Sequence, residues 1–147
     1  MNTPERALRW RIIDTAGSLA ATGLTHGTSG NVSARWQEGF LITPTGMDYD
    51  HLAVEDIVFI DADGTPAAGA RRPSSEWRMH HDIYRARPGA GAIVHAHPPF
   101  ATALACTHRG IPAFHYEVAV AGGENIRCAP YETYGTQALS DAAVAAL

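Results

Sequence analysis

Several features are scarce or missing in this sequence of 147 residues, and each absence excludes a class of protein. Cysteine occurs only twice, as Cys106 and Cys128, and the two residues lack metal-binding spacing, so no disulfide scaffold is predicted. Basic residues number 11 against 15 acidic ones, which gives a net charge of −4. A mildly acidic chain binds phosphate backbones poorly, and we therefore expect no nucleic-acid partner.

Long apolar stretches are also missing. No run reaches the ~18 apolar residues that a membrane-spanning helix requires, so no membrane partner is expected. The first residues lack the apolar core of a secretion signal, and we predict a cytoplasmic protein. What is present is globular: 46% of the residues are hydrophobic and 18% are charged, and the length predicts one domain over residues 1–147.

Apolar periodicity and turn residues predict helices and strands along the chain. Helices are predicted over four segments, namely 4–22, Pro73 to about Arg87, Pro98 towards Cys106, and Thr136 to Leu147. Strands are predicted at 32–36 and 40–43 (a hairpin), at 57–61 and at 92–95, and strand-like and helical pieces then alternate around Gly122 and Gly123. This order predicts an α/β or α+β fold built in layers. The last helix ends on apolar residues without a glycine cap, so we expect the sequence to be a piece of a longer protein.

The sharpest chemical signal is the triplet His95-Ala96-His97. Residues two apart on a strand point to the same side, so both imidazoles are expected to face one point. The strand is predicted to end near Pro98, at the edge where open α/β sheets commonly have their sites. Two imidazoles suit a divalent ion such as zinc, which needs three or four ligands. The alternative is a pair of histidines bonded to backbone, because short motifs produce many false positives.

Glu76 follows Ser74 and Ser75 at the predicted start of a helix. One interpretation is a helix cap, in which a serine caps the helix and Glu76 is solvated in its first turn. The other is a general base beside a metal, or a carboxylate that fills a vacant zinc position until substrate displaces it. His80 lies one helical turn later on the same face, where it either bonds Glu76 or packs.

Three short segments rich in Gly, Ser and Thr predict an anion site. In the loop 26–31, glycines let the backbone approach an anion, and hydroxyl and amide groups supply donors. Ser74 and Ser75 add donors at a helix N-terminus, where the dipole favours negative charge, and Thr45-Gly46 is the third segment. The sequence has no P-loop signature, so neutral donors would hold any phosphate. The alternative is three ordinary turns.

Six segments together resemble the class II aldolase/adducin family, in the family's order and with plausible spacing. They are GLTHGTSGNVSAR (23–35), LITPTGMDYDHL (41–52), IVFID (57–61), RPSSEWRMHHDIYRARPGAGAIVHAHPPFATA (72–103), IPAFHYEVAVAGG (111–123) and CAPYETYGT (128–136). One such segment is a weak signal, whereas the series covers nearly the whole chain. The resemblance implies a layered α/β (α+β) fold with a central, mainly antiparallel sheet flanked by helices, without its C-terminal part.

The resemblance also implies a zinc-dependent enzyme that cleaves a phosphorylated ketose into dihydroxyacetone phosphate and an aldehyde. His95 and His97 match two zinc ligands, and Glu76 matches the catalytic acid/base. Tyr116, which on chemistry alone fits a core position as Tyr131 and Tyr134 do, matches a tyrosine near the aldehyde. The family's phosphate-binding positions match Gly30, Asn31, Thr45, Gly46, Ser74 and Ser75. A homotetramer with sites between subunits is further implied.

Two differences leave other functions open. The family's third zinc histidine belongs to a segment beyond residue 147, so His80, His115 or Glu76 would have to replace it within this chain. Related epimerases usually carry Asp at the position of Glu76, which favours an aldolase or decarboxylase type. The alternatives are a related sugar-phosphate decarboxylase, dehydratase or epimerase, and a non-catalytic, adducin-like interaction module.

Overall fold

The computed structural model describes residues 1–120 and 123–147. The predicted Gly122 therefore lies outside the described residues, as does Ala121. The helices are α1 (Thr3–Ala21), α2 (Trp77–Ala86), α3 (Pro99–Ala105), α4 (Tyr116–Val120) and α5 (Gln137–Ala146). The strands are β1 (Asn31–Trp36), β2 (Gly39–Ile42), β3 (Val58–Ile60) and β4 (Ala92–His95).

The four strands form one antiparallel sheet in the order β3-β2-β1-β4. The predicted hairpin is confirmed, since β1 pairs with β2 across a two-residue turn. Side chains of β1 alternate between the two faces of the sheet. Val32 and Ala34 pack with α1 residues in one apolar cluster, whereas Ser33 contacts α2 on the other face. The layered α+β fold with an antiparallel sheet is thus confirmed.

The start of α2 differs from the prediction. The helix begins at Trp77 rather than at Pro73, because the preceding residues pair with the chain that follows β2. Pro73 forms a bridge with Pro44, and the Ser74 N–H donates to the Thr43 carbonyl at 3.0 Å. The chain at Pro73 and Ser74 is therefore extended and lies beside the end of the sheet.

The second half of the chain contains fewer strands than predicted. After β4, the described residues contain three helices and one isolated bridge, between Ile111 and Ile126. The predicted core role of the three tyrosines is wrong, since Tyr116, Tyr131 and Tyr134 are all exposed. None of the helices in the described ranges is long and apolar enough to cross a bilayer.

Candidate active site

One cavity brings most of the predicted site residues together. It has a volume of about 220 Å³ and lies where the loop before β1, the turn after β2 and the segment before α2 meet. Its walls include every residue predicted to bind phosphate, and also the predicted acid/base and one predicted metal ligand: Gly30, Asn31, Thr45, Gly46, Ser74, Ser75, Glu76 and His97. Tyr134 also lines this cavity, although its sequence context gave no indication of a role in the site.

The loop before β1 is held in place by hydrogen bonds to its backbone. The Thr25 hydroxyl donates to the Ser29 carbonyl, and the Tyr49 hydroxyl donates to the Gly30 carbonyl at 2.6 Å. Burial, assisted by the charge of Glu76, raises the pKa of Tyr49 to about 12, so this phenol stays protonated and remains a donor. Gly30 itself has φ +82°, and an added Cβ would lie 2.8 Å from the backbone oxygen of His95. Glycine is required there because the loop passes directly over β4.

The segment before α2 turns its donors towards the same cavity. The Ser74 carbonyl accepts from the Trp77 N–H, and its hydroxyl oxygen accepts from the Glu76 N–H at 3.3 Å. Ser74 and Ser75 therefore stand at the N-terminus of the ten-residue helix α2, where backbone N–H groups and the helix dipole favour anions. The three segments predicted to bind an anion, 26–31, 45–46 and 74–75, thus contribute residues to the wall of one cavity.

The two histidines of the triplet approach each other closely. The Nε2 atoms of His95 and His97 are 2.8 Å apart. His95 is the last residue of β4, and His97 lies just beyond the strand, where its backbone N–H donates to the Leu24 carbonyl. We expected the two histidines at the site edge of an open α/β sheet, but that rule applies to parallel strands and this sheet is antiparallel. Their position instead follows from the strand register, which pairs His95 with Asn31.

The histidine pair fits part of a metal site. Nitrogens that share a tetrahedral zinc at ~2.0–2.1 Å lie roughly 3.3 Å apart, close to the separation of these Nε2 atoms. Burial lowers the pKa of His95, opposed by the Glu76 charge and assisted by His97, so this imidazole is neutral, as a metal ligand must be. Within residues 1–120 and 123–147, however, no three His, Cys, Asp or Glu side chains are arranged to hold a metal together.

Glu76 is not the solvated residue of a helix cap. It occupies the N-cap position itself, is 9% exposed, and its side chain makes no capping bond. The Asn31 amide nitrogen donates to its Oε2 at 2.8 Å, and the same oxygen lies 3.5 Å from Nδ1 of His95. The carboxylate is therefore held at the wall of the cavity beside His95, within reach of a bound molecule, as a general base must be.

His80 does not bond Glu76, contrary to one of the two interpretations of the sequence. It is completely buried, and its ring nitrogens contact Ser33 and Asn31 on β1. Spacing along α2 alone could not reveal these partners, because they come from a strand more than 40 residues away. The alternation of polar Asn31, Ser33 and Arg35 with apolar residues along β1 was the available signal.

Tyr116 is not brought to this site within the chain. It is 69% exposed and lines a different cavity, together with His115 and Glu124. His115 stacks on the Tyr116 ring, with centroids 4.3 Å apart, and is likewise absent from the walls of the first cavity. The assignment of Tyr116 to the aldehyde end remains a prediction.

The chain is similar to known proteins of one family. The family described as "Class II Aldolase and Adducin N-terminal domain" matches residues 11–147. The 5-methylthioribulose-1-phosphate/5-deoxyribulose-1-phosphate aldolase of Rhodospirillum rubrum is 54% identical over 96% of this chain and 63% of its own length. The L-fuculose phosphate aldolase of Escherichia coli K12 is 50% identical over 93% of this chain and 63% of its own.

A solved structure of an L-fuculose 1-phosphate aldolase superposes with a TM-score of 0.89 at 40% identity, covering 95% of this chain and 68% of that one. Of the two curated relatives named above, the chain spans 63% of the length, which is somewhat less than two thirds. The family predicted from the six segments is confirmed by sequence and by structure: this chain belongs to the class II aldolase and adducin family.

Proposed function

We propose that the protein is a zinc-dependent aldolase that cleaves a phosphorylated ketose, of the L-fuculose 1-phosphate type, into dihydroxyacetone phosphate and an aldehyde. One observation carries the proposal: a single cavity combines a wall of neutral anion donors with Glu76 and His97, and His95 lies directly behind them, in contact with both. The donors suit a phosphate, and the remaining groups suit proton transfer and charge stabilisation.

The phosphate would occupy the wall formed by Ser74, Ser75 and the loop at Gly30. This wall holds one end of the substrate and thereby fixes the position of the carbon chain relative to Glu76. Such positioning replaces a chance encounter by a bound geometry, which is one of the larger sources of enzymatic rate enhancement.

The bond that breaks joins C3 and C4 of a ketose 1-phosphate. The C4 hydroxyl loses its proton as the aldehyde forms, and the electron pair of the bond passes to C3 and the C2 carbonyl oxygen as an enediolate. A proton added at C3 completes dihydroxyacetone phosphate. Glu76, buried and fixed by Asn31, is the group that moves these protons. A zinc ion held by His95, His97 and a further ligand would supply Lewis-acid stabilisation of the negative oxygen.

The other common route to aldol cleavage uses a lysine that forms a Schiff base with the ketone. None of the 147 residues is a lysine, so this stretch of the protein offers no amine for that chemistry. The carboxylate and imidazole groups of the cavity therefore favour the metal-assisted route.

The names of the relatives indicate which sugars to test. One relative is named for 5-methylthioribulose 1-phosphate and 5-deoxyribulose 1-phosphate, and another for L-fuculose phosphate. All of these are phosphorylated ketoses, and the phosphate wall is common to them. Assembly into a homotetramer is proposed on the family resemblance, and the cytoplasmic location predicted from the sequence stays a proposal.

The test compares full-length wild-type protein with Glu76→Gln, measuring aldehyde release from each of these sugar phosphates with added zinc. Glutamine keeps the size but cannot carry the proton, so kcat should fall by about 10²- to 10⁴-fold. Glu38→Gln, in the exposed turn of the hairpin, is the matched control and should behave as wild type. Full activity in Glu76→Gln would contradict the role of Glu76. Absence of cleavage in the wild type with every sugar would favour the non-catalytic branch.

A further inference from the structure

A row of buried polar side chains joins β1 to α2 behind the proposed active site. On β1, alternate residues Asn31 and Ser33 face α2, about 6.8 Å apart along the strand. Glu76 at the N-cap of α2 and His80 and Tyr84 within the helix recur every four residues, with a rise of about 6.0 Å for four helical residues. The two spacings nearly match, so each polar group on one element meets a partner on the other.

The Glu76 carboxylate at one end of this row fixes the direction of every hydrogen bond along it. The Glu76 carboxylate only accepts, so the amide nitrogen of Asn31 faces it, at 2.8 Å. The Asn31 oxygen then faces Nε2 of His80, which must carry a hydrogen because that oxygen only accepts. The other ring nitrogen, Nδ1, accepts from the Ser33 hydroxyl at 2.6 Å, and Ser33 in turn accepts from the Tyr84 hydroxyl at 2.9 Å.

The protonation state of His80 agrees with this arrangement. Burial, assisted by nearby His95, lowers the pKa of His80 to about 3, so the ring is neutral at physiological pH. A neutral ring has one donor and one acceptor nitrogen, and both are used here. The described part of the chain contains no buried side-chain nitrogen or oxygen without a hydrogen-bond partner, so the row is complete.

We propose that His80 is a positioning residue for the aldol cleavage: its Nε2–H orients the Asn31 amide, which in turn orients the Glu76 carboxylate. This inference rests on the proposed function for its kinetic consequence, but the orientation itself does not depend on turnover. His80 does not line the cavity. Its effect passes through Asn31, which lines the cavity and contacts Glu76.

The test uses three variants of the full-length protein and two kinds of measurement. His80→Phe fills the space but removes both hydrogen bonds, and His80→Gln places an amide donor near the position of Nε2. His81→Phe is the matched control, because His81 is the adjacent residue on α2 and contacts Ala62 and Asp82 instead. Steady-state kinetics with zinc and a cleavable sugar phosphate give kcat and KM. Long-range ¹H–¹⁵N correlation spectra of the histidine rings report the tautomer of His80 directly, without turnover.

We expect His80→Phe to lower kcat by about 10- to 100-fold, the size typical of residues behind a metal site. KM should stay close to wild type, because the phosphate wall is untouched. His80→Gln should recover most of the loss, and His81→Phe should show none. The spectra should show hydrogen on Nε2 only, unchanged between pH 8 and pH 5.

Three results would overturn the proposal: unchanged kcat in His80→Phe, an equal loss in His80→Phe and His80→Gln, or hydrogen on Nδ1 of the wild-type ring. An equal loss in both variants would mean that His80 only packs. If His80→Phe does not fold, His80→Gln and the wild-type spectra still decide. A wild-type protein that cleaves no sugar phosphate would refute the proposed function, whereas the spectra would still test the orientation of Asn31 by His80.

Discussion

Gly30 shows how much of the site depends on a single residue. Its φ of +82° is in the left-handed region, and a Cβ there would meet the His95 backbone oxygen at 2.8 Å and the Thr25 hydroxyl oxygen at 3.0 Å. Two costs therefore combine in Gly30→Ala: about 1–2 kcal/mol for the left-handed backbone, and about 1–3 kcal/mol for displacing β4 or the loop.

Gly23→Ala separates the two costs. Gly23 also has a left-handed backbone, with φ +71°, but an added Cβ would meet no atom within 4 Å. Chemical denaturation of the full-length proteins should show a clearly larger loss of unfolding free energy for Gly30→Ala than for Gly23→Ala. Equal losses would mean that the loop is free to move away from β4.

At this scale, part of the site could be predicted from sequence alone. The histidine triplet and the serines before Glu76 are local patterns, and they indicated residues that the structure brings together: Ser74, Ser75, Glu76 and His97 line the cavity, and His95 contacts Glu76 and His97. The state of Glu76 was not predictable from its neighbours, because a cap and a buried base share the same local sequence. The hydrogen bond from Asn31, 45 residues earlier in the chain, holds the Glu76 carboxylate in its buried position.

At the scale of elements, the strands and helices with strong local signals were predicted well. Helix α1 follows its apolar period and stops before Gly23, and the β1–β2 hairpin follows its turn. The start of α2 was wrong by four residues, because Ser74 bonds to Thr43 instead of starting the helix. Such a competition between a local helix signal and a distant strand cannot be read from the local pattern.

One carboxylate on α2 accepts two hydrogen bonds from α5. Oδ2 of Asp82 accepts from the Ser140 hydroxyl and from the Gln137 amide, both at 2.7 Å. Burial raises the pKa of Asp82, but these bonds and His81 lower it by more, so the folded-state pKa is below the usual value. The stabilisation is therefore fully present above about pH 4, the pKa of an unfolded Asp, and disappears as the pH falls towards the folded-state pKa.

Asp82→Asn should accordingly lower the free energy of unfolding by about 1 kcal/mol at pH 7, the size of a hydrogen bond to a charged group after partial exposure. The difference from wild type should shrink below about pH 4. Urea titrations of the full-length proteins at several pH values measure it, with Asp14→Asn on the exposed face of α1 as the control. A difference that does not change with pH would mean that the Asp82 charge contributes nothing to the contact between the helices.

At the scale of the whole molecule, the site is assembled from segments far apart in sequence. The loop before β1, the turn after β2, the segment before α2 and the end of β4 converge because the order β3-β2-β1-β4 places β1 between β2 and β4. The sequence predicted these segments as separate signals, and the family resemblance supplied their common purpose. Tyr116 belongs to none of them and lines another cavity, so its predicted role stays a prediction.

The metal site is the feature that the chain shows only in part. Catalytic zinc sites usually have three protein ligands, and two converging imidazoles, His95 and His97, are present here.

Full-length protein loaded with zinc and then desalted should contain about one zinc ion per chain by elemental analysis. His95→Ala and His97→Ala should each lose most of it, because a site reduced to two protein ligands holds zinc weakly. His51→Ala is the control, since this exposed imidazole lies outside the cavity and should leave the zinc content unchanged. Retention of zinc in both His95→Ala and His97→Ala would place the metal elsewhere and remove these two residues from the proposed mechanism, even if Glu76→Gln were inactive.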